Sequence, residues 1–123
     1  MTVYCFEDLV IWKLARELVK DIYFVTANIN DYGYNSQIQR ASISIMNNIA
    51  EGFDRSKNTK DNKQLLSFLN IAYGSCGEVK SMLYTAEDLS YLTPEKSQQL
   101  RNQCSTLNQK TEAFIKTIRK KDN

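Results

Sequence analysis

The chain has 123 residues, a formal net charge of +2, 42% hydrophobic residues and a single proline. This length and composition predict one domain, residues 1–123, whose core needs neither disulfides nor metals. The absence of histidine excludes catalytic Ser-His-Asp and Cys-His sets, and no cofactor or metal site is expected.

Two further sequence features bear on the cellular environment. Cys5, Cys76 and Cys104 lack the paired spacing of metal or disulfide motifs, so reduced thiols are expected. The N-terminal segment has no basic stretch before an apolar run, and no run approaches the length of a membrane span. A cytoplasmic protein without a membrane partner is therefore expected.

The first two helices are predicted from apolar residues spaced three and four apart. Helix one is expected from Phe6 to about Ile29, and the Asn/Asp/Gly-rich residues 30–35 are expected to form a short connection. Helix two is expected from near Ser36 to about Arg55. A second apolar stripe lies about a third of a turn from its first: Ile43, Met46, Ala50 and Phe53. Because one small core cannot bury both stripes, contact with another subunit is predicted.

Helix three is predicted to follow a turn at residues 56–59 and to run from about Lys60 to Tyr91, with Cys76 in the core. Gly74 and Gly77 lie inside it. A glycine in a helix costs about 1 kcal/mol relative to alanine, so a closely approaching helix or a large side chain is expected to compensate.

The start of helix four is the clearest boundary in the sequence. Thr93 is the expected N-cap and Pro94 the first helical residue, where a missing N–H does no harm. The same three-four spacing then continues to the basic residues near the C-terminus. Four helices with one period and short connections predict an all-α, antiparallel, up-down-up-down, left-handed four-helix bundle.

In this topology one end of the bundle is rich in lysine and arginine, and we refer to it as the basic end. Its cations are Arg55, Lys57, Lys60, Lys63, Lys116, Arg119, Lys120 and Lys121. The opposite, acidic end carries Asp21, Asp31, Glu87, Asp88 and Glu95 against Lys20 and Lys96. A basic end repeated in a ring can attract phosphate backbones, whereas ordinary solvated lysines at helix ends are the alternative interpretation.

Candidate catalytic and base-stacking residues are few. Glu51 and Glu78 are the acids expected to be partly buried, and paired carboxylates can act as acid and base. Nothing accompanies them to bind a substrate, so structural roles are favoured and no enzyme is predicted. Four aromatic residues can in principle stack on bases, but core or interface positions are favoured for them: Trp12, Tyr23, Tyr73 and Tyr84.

Three segments together resemble the 23S rRNA intervening-sequence protein family: FEDLVIW at 6–12, QIQRASISIMNNIAEG at 37–52 and FLNIAYGSCGEVKSML at 68–83. The matching positions are Phe6, Leu9, Trp12, Arg40, Ala41, Ser44, Ile45, Asn48, Ile49, Ala50, Glu51, Gly52, Phe68, Leu69, Ala72, Gly74, Ser75 and Glu78. Met46 stands where the family commonly has proline, so a kink expected in helix two is softened or absent.

The resemblance implies a bacterial four-helix bundle that assembles as a homopentameric ring without enzymatic activity. A similar bundle is the accessory protein of diversity-generating retroelements, which associates with a reverse transcriptase and nucleic acid. We therefore predict a homo-oligomer that binds RNA or other nucleic acid through its basic end. An oligomeric scaffold for a protein partner, without nucleic-acid contact, is the alternative. The motif residues expected to fix how helices or subunits meet are Arg40, Ser44, Asn48, Glu51, Gly52, Gly74 and Glu78.

Overall fold

Four α-helices form the protein in the computed structural model, which describes residues 3–122. Their bounds are Val10–Thr26 for α1, Tyr32–Ser56 for α2, Lys63–Asp88 for α3 and Pro94–Asp122 for α4. A single 3-10 turn, Phe6–Asp8, precedes α1. The described residues contain no strand, so the prediction of an all-α four-helix protein is confirmed.

One hydrophobic core joins the four helices at the positions that the three-four spacing predicts. Every helix contributes side chains with at most 1% of their surface exposed, among them Leu18, Ile45, Leu69, Cys76 and Leu107. Burying a side chain of this size contributes about 1.5–3 kcal/mol relative to leaving it in water. The core is therefore the main source of stability, and Cys76 belongs to it as predicted.

Hydrogen bonds between neighbouring helices pair their residues in opposite order along the chain. Between α2 and α3 these bonds join Tyr34 to Met82 and Ser44 to Ser75; between α3 and α4 they join Leu83 to Ser97 and Tyr73 to Asn108. Antiparallel neighbours produce this order. The complete up-down-up-down course and the left-handed twist of the bundle stay predictions.

The first helix is shorter than the continuous helix predicted from Phe6 to Ile29. Leu9 has an extended backbone (φ −70°, ψ 130°), which separates the 3-10 turn from α1. At the other end the helix stops at Thr26, and Ile29 is buried outside it. The apolar spacing continues past both ends because residues of the flanking turns also face the core, so spacing alone extends the helix too far.

Helix α2 begins at Tyr32, and the prediction that residues 32–35 form part of a connection is wrong. Asp31 is the N-cap, since its Oδ1 accepts a hydrogen bond from the N–H of Tyr34 at 3.1 Å. Within α2, the side-chain amide of Asn35 donates a hydrogen bond to the carbonyl of Ile29, which precedes the helix, at 2.8 Å. The Asn, Asp and Gly residues that predicted a connection therefore form the start of a helix. α2 then continues without interruption through Met46.

Helix α3 is also shorter than predicted, spanning Lys63–Asp88 instead of 60–91. Ser90 has a φ of 59°, in the left-handed region, which ends the helix. The predicted start of α4 is confirmed, because Pro94 is its first residue and Thr93 Oγ1 accepts a hydrogen bond from the N–H of Lys96 at 3.2 Å. Among the described residues, no helix combines the length and apolar character that crossing a membrane requires.

Candidate nucleic-acid interface

The basic end consists of the last turn of α2, the following connection, the start of α3 and the last turns of α4. All eight predicted cations are exposed there. The hydrogen bond between Tyr73 and Asn108 sets the register of α3 against α4. Because the two helices pair in opposite order, this register places Lys63, at the start of α3, beside the part of α4 that carries Lys116 and Arg119.

Three of these cations form ion pairs with acids three or four positions earlier in the chain. The ion pairs join Arg55 to Glu51 at 2.7 Å, Lys57 to Asp54 at 3.7 Å and Lys116 to Glu112 at 3.4 Å. All six side chains are exposed, and pairs of this kind contribute about 0–1 kcal/mol to stability. An incoming phosphate can therefore displace these acids at little cost.

The other five cations form no ion pair with any residue in the described range: Lys60, Lys63, Arg119, Lys120 and Lys121. The neighbouring acid Asp61 is engaged by the backbone, since its Oδ1 accepts a hydrogen bond from the N–H of Lys63 at 3.1 Å. Three of the five cations occupy the last turn of α4. The charge of this end is thus concentrated on side chains that solvent can reach.

Aromatic rings support two of the paired cations along the edge of α2. The guanidinium of Arg55 lies 5.3 Å from the ring centre of Phe68, and the Lys57 ammonium lies 5.3 Å from that of Phe53. A cation over a ring face gains about 0.5–1 kcal/mol at an exposed site. These contacts keep both positive charges close to the surface of the bundle.

The predicted motif in the middle of α2 supplies close packing against α3. The hydroxyls of Ser44 and Ser75 lie 2.9 Å apart, and Asn48 Nδ2 donates to the Ser44 carbonyl at 2.7 Å. Gly52 is buried against Phe68, whose Cβ lies only 2.7 Å from where a Cβ on residue 52 would stand. Ser44 and Gly52 therefore contact α3 directly, whereas the Asn48 hydrogen bond lies within α2.

Glu51 and Glu78 are exposed, so the prediction that they are partly buried is wrong. Glu51 pairs with Arg55 of its own helix, and Glu78 Oε2 accepts a hydrogen bond from Gln37 Nε2 at 3.3 Å. The core face of α3 runs through Cys76 and its neighbours three and four residues away, which turns Glu78 toward solvent.

Gly74 and Gly77 have no compensating neighbour within the described chain, contrary to prediction. A Cβ built on either glycine meets no atom within 4 Å, and both residues are exposed. Tyr73, Gly77 and Tyr84 follow each other at helical spacing on one side of α3, where the two tyrosines are 40% and 49% exposed. The helix cost of the glycines, about 1 kcal/mol each, is therefore not offset inside this chain.

A polar groove of about 440 Å³ between α2 and α3 is a feature that the sequence analysis missed. Residues lining it include Tyr32, Ser36, Gln37, Arg40, Ser75 and Glu78. Arg40 and Glu78 are both among the motif residues predicted to fix how helices or subunits meet. They thus lie beside the same groove on the surface of one chain. The signal that was present in the sequence is a run of polar and aromatic residues four apart on α2: Tyr32, Ser36, Arg40 and Ser44.

A family model described as "23S rRNA-intervening sequence protein" matches residues 7–113. The chain belongs to the 23S rRNA-intervening sequence protein family. The resemblance seen in three sequence segments is therefore confirmed, whereas the likeness of this family member to the accessory protein of retroelements stays a prediction.

Among solved structures, this 23S rRNA-intervening sequence protein is similar to a protein of unknown function from the S23 ribosomal protein family of Bacteroides thetaiotaomicron VPI-5482. The TM-score is 0.76, with 22% sequence identity, over 87% of this chain and 99% of that one. At this identity the likeness supports the fold alone. No curated protein matches the chain.

At the acidic end of this 23S rRNA-intervening sequence protein, several carboxylates are engaged within the chain. Glu87 pairs with Arg101 at 3.1 Å, and both side chains are largely buried, with 30% and 15% exposed. Asp21 accepts a hydrogen bond from Gln103 at 3.0 Å, and Asp31 caps α2. These three acids therefore join helices and turns, in contrast to the unpaired cations of the basic end.

Proposed function

We propose that this 23S rRNA-intervening sequence protein is a non-enzymatic homopentamer of the bacterial cytoplasm that binds RNA through its basic end. The observation that carries the proposal is the set of five exposed cations without an ion pair in the described chain. Contacts with phosphates dominate nucleic-acid affinity, and they need lysines and arginines that are not already neutralised.

Self-association is supported by the surface that α3 presents around its glycines. Gly74 and Gly77 leave open space beside α3, because a Cβ built on either residue meets no atom within 4 Å. A helix of a second copy packed on this face would fill the space. The pentameric stoichiometry comes from the family resemblance, and a ring would present several basic ends together.

A protein scaffold is the second candidate function, and a separate apolar groove favours it. This groove, of about 340 Å³, lies between the start of α1 and the second half of α4, and its lining includes Leu9, Val10 and Phe114. Val10 is 58% exposed. An apolar side chain of a partner protein fits such a surface, with the cations then serving solubility.

RNA binding is tested by titrating the full chain with a structured RNA hairpin over a salt series. Reversing Arg119, Lys120 and Lys121 to glutamate should weaken binding by at least about tenfold and flatten the dependence of log K on log salt concentration. The matched control reverses three exposed cations elsewhere: Lys13, Lys20 and Lys110. Circular dichroism checks that both triple variants fold.

Three outcomes contradict RNA binding at the basic end. They are an affinity that ignores salt, an equal loss in the two triple variants, and no binding at all. Recovery of one protein partner by pull-down after nuclease treatment, together with no RNA binding, supports the scaffold. Light scattering tests assembly, because a pentamer has five times the 14.2 kDa mass of one chain and a monomer does not.

A further inference from the structure

The polar groove between α2 and α3 lies away from the basic end, and the phosphate contacts proposed at that end do not involve it. Its volume of about 440 Å³ falls in the range of about 300–1,000 Å³ that small-ligand sites have. The first half of α2 forms one wall and the middle of α3 forms the other. We propose that this groove binds a single unpaired guanine nucleotide.

Arg40 supplies the positive charge of the groove. Its side chain is exposed and forms no ion pair or hydrogen bond with another residue of the described chain. A guanidinium presents its N–H donors in a rigid plane that matches two phosphate oxygens. The phosphate of the nucleotide is therefore the group that Arg40 binds.

Glu78 and Gln37 join the two walls and present a defined set of hydrogen-bonding groups. Gln37 Nε2 donates to Glu78 Oε2 at 3.3 Å, which holds the carboxylate beside the amide. An ionised carboxylate only accepts hydrogen bonds, and it has room for several. Glu78 therefore suits a base edge with two adjacent donors, while the second N–H of Gln37 can serve an acceptor next to them.

Guanine is the base whose Watson–Crick edge has this pattern. Its N1–H and N2–H groups are adjacent donors, and O6 beside them is an acceptor. Adenine has one donor group next to the N1 lone pair, which a carboxylate repels. Uracil and cytosine also have one donor group each on this edge. Unpaired bases are commonly recognised by such contacts to their edges.

Tyr32 gives the groove an aromatic surface for the base. Its side chain is 87% exposed and lies two helical turns before Arg40 on the same side of α2. Bases stack on exposed aromatic rings without strong sequence preference. Stacking on Tyr32 therefore holds the base, Glu78 with Gln37 selects guanine, and Arg40 fixes the phosphate.

The biological form of this ligand, a looped-out guanine within an RNA, rests on the proposed RNA-binding function. Arg40 and Arg55 are about 22 Å apart at the rise of α2, so one RNA strand can reach both the groove and the basic end. Binding of a free mononucleotide does not depend on the basic end, which makes the two proposals separable.

The proposal is tested by titrating the isotope-labelled full chain with GMP and AMP and following backbone amide shifts. We expect shift changes concentrated at residues 32–44 and 75–78, with GMP bound at least about tenfold more tightly than AMP. Arg40→Ala should weaken GMP binding at least about fivefold and leave guanosine binding unchanged. Glu78→Gln should remove the preference for GMP over AMP.

Matched controls are Lys13→Ala for the cation and Glu95→Gln for the acid, since both residues are exposed and lie outside the groove. Both should bind GMP like the wild type. Equal affinity for GMP and AMP, shifts located elsewhere, or no shifts at millimolar GMP overturns the proposal. Binding of inorganic phosphate or an acidic peptide in the groove without any base preference overturns it as well.

The basic-end triple variant separates this test from that of RNA binding. Reversing Arg119, Lys120 and Lys121 should leave GMP binding within about twofold of the wild type. The last turn of α2, which also belongs to the basic end, lies about 22 Å along the helix from Arg40, and charges at the surface are largely screened beyond about 10 Å. If RNA binds and GMP does not, the groove proposal alone fails. If GMP binds with the expected preference and RNA does not bind, the RNA-binding function fails and the nucleotide site stands.

Discussion

Tyr91 donates its hydroxyl hydrogen to Asp31 Oδ2 at 2.6 Å and thereby ties the segment after α3 to the N-cap of α2. This hydrogen bond favours the charged carboxylate, so it lowers the pKa of Asp31, and it raises the pKa of Tyr91. Asp31 thus binds a proton more weakly in the folded protein than in the unfolded chain. The stability it contributes is present above the usual pKa of 3.8 and is lost as the pH falls through the lowered value.

We therefore expect Tyr91→Phe to lower the free energy of unfolding at pH 7, and this difference from the wild type to shrink as the pH falls below 3.8. Urea unfolding at several pH values measures it. Tyr4→Phe is the control, because the Tyr4 side chain is 78% exposed and should leave stability unchanged. A difference that stays constant from pH 7 down to the acid transition would contradict the assignment.

The hydroxyl of Tyr34 predicts that stability also depends on pH in the alkaline range. Its hydroxyl donates to the Met82 carbonyl at 2.7 Å, and burial raises its pKa from 10.0 to about 12. The unfolded chain loses this proton first, so the stability from Tyr34 is complete below pH 10 and is lost as the pH rises from 10 toward 12.

Replacing Tyr34 by phenylalanine should cost about 0.5–1.5 kcal/mol at pH 7, because the hydrogen bond from Tyr34 to the Met82 carbonyl is lost. The variant should then lose stability less steeply than the wild type above pH 10. Unfolding curves at pH 7, 9, 10 and 11 measure both effects. If both proteins lose stability in parallel over this range, the loss of stability at alkaline pH arises from groups other than Tyr34.

The core and the order of the helices were predictable because burial imposes a three-four spacing that the residues display directly. Leu69, Cys76 and Leu107 are buried where the spacing puts them. The start of α4 was predictable for a local reason, since Thr93 and Pro94 act through their own backbone geometry. Both kinds of signal lie in residues close together in sequence.

Helix ends and surface features were predicted less well because they depend on contacts between distant residues. The start of α2 is set partly by the Asn35 amide, which donates to the Thr26 carbonyl at the end of α1, and by the hydrogen bond from Tyr91 to Asp31, 60 positions apart in sequence. Glu78 was expected to be partly buried, yet its exposure follows from which face of α3 the core uses. The groove beside it needs the register of α2 against α3, which a single helix pattern does not contain.

The three cysteines predict a simple pattern of reactivity. Cys76 and Cys104 are fully buried, and the hydrogen bond with Cys76 together with burial raises the pKa of the Cys104 thiol. Cys5 is partly exposed. Its hydrogen bond to Asp8 raises the pKa of its thiol. We expect iodoacetamide at pH 8 to label Cys5 alone in the folded protein and all three thiols in denaturant. Mass spectrometry counts the labels.

The variant Cys5→Ser is the control for thiol labelling and should take up no label while folded. Labelling of Cys76 or Cys104 in denaturant-free buffer should occur only at the rate at which the bundle opens, since thiolate chemistry needs access to the sulfur. Rapid labelling of either residue in the folded protein would contradict their place in the core.

The glycines predict opposite effects of the same substitution at two positions. Gly52→Ala puts a Cβ 2.7 Å from Phe68 Cβ, so α2 and α3 must separate, and we expect a loss of about 1–3 kcal/mol. Gly74→Ala meets no atom within 4 Å and removes a poor helix former, so one subunit should gain about 1 kcal/mol. Chemical unfolding at low protein concentration measures both changes.

A larger substitution at Gly74 also tests whether this face of α3 is a free surface or a subunit contact. If a second copy packs on this face of α3, a side chain at Gly74 occupies the space of the partner helix, so Gly74→Leu should shift the mass measured by light scattering toward 14.2 kDa while the subunit stays folded. Lys13→Leu, an exposed change on α1, is the control and should keep the wild-type mass. If Gly74→Leu leaves the assembly unchanged, the subunit contact lies on another face of the protein. A partner helix packed closely on Gly74 would have no room for the added side chain, because the backbone of a helix is rigid.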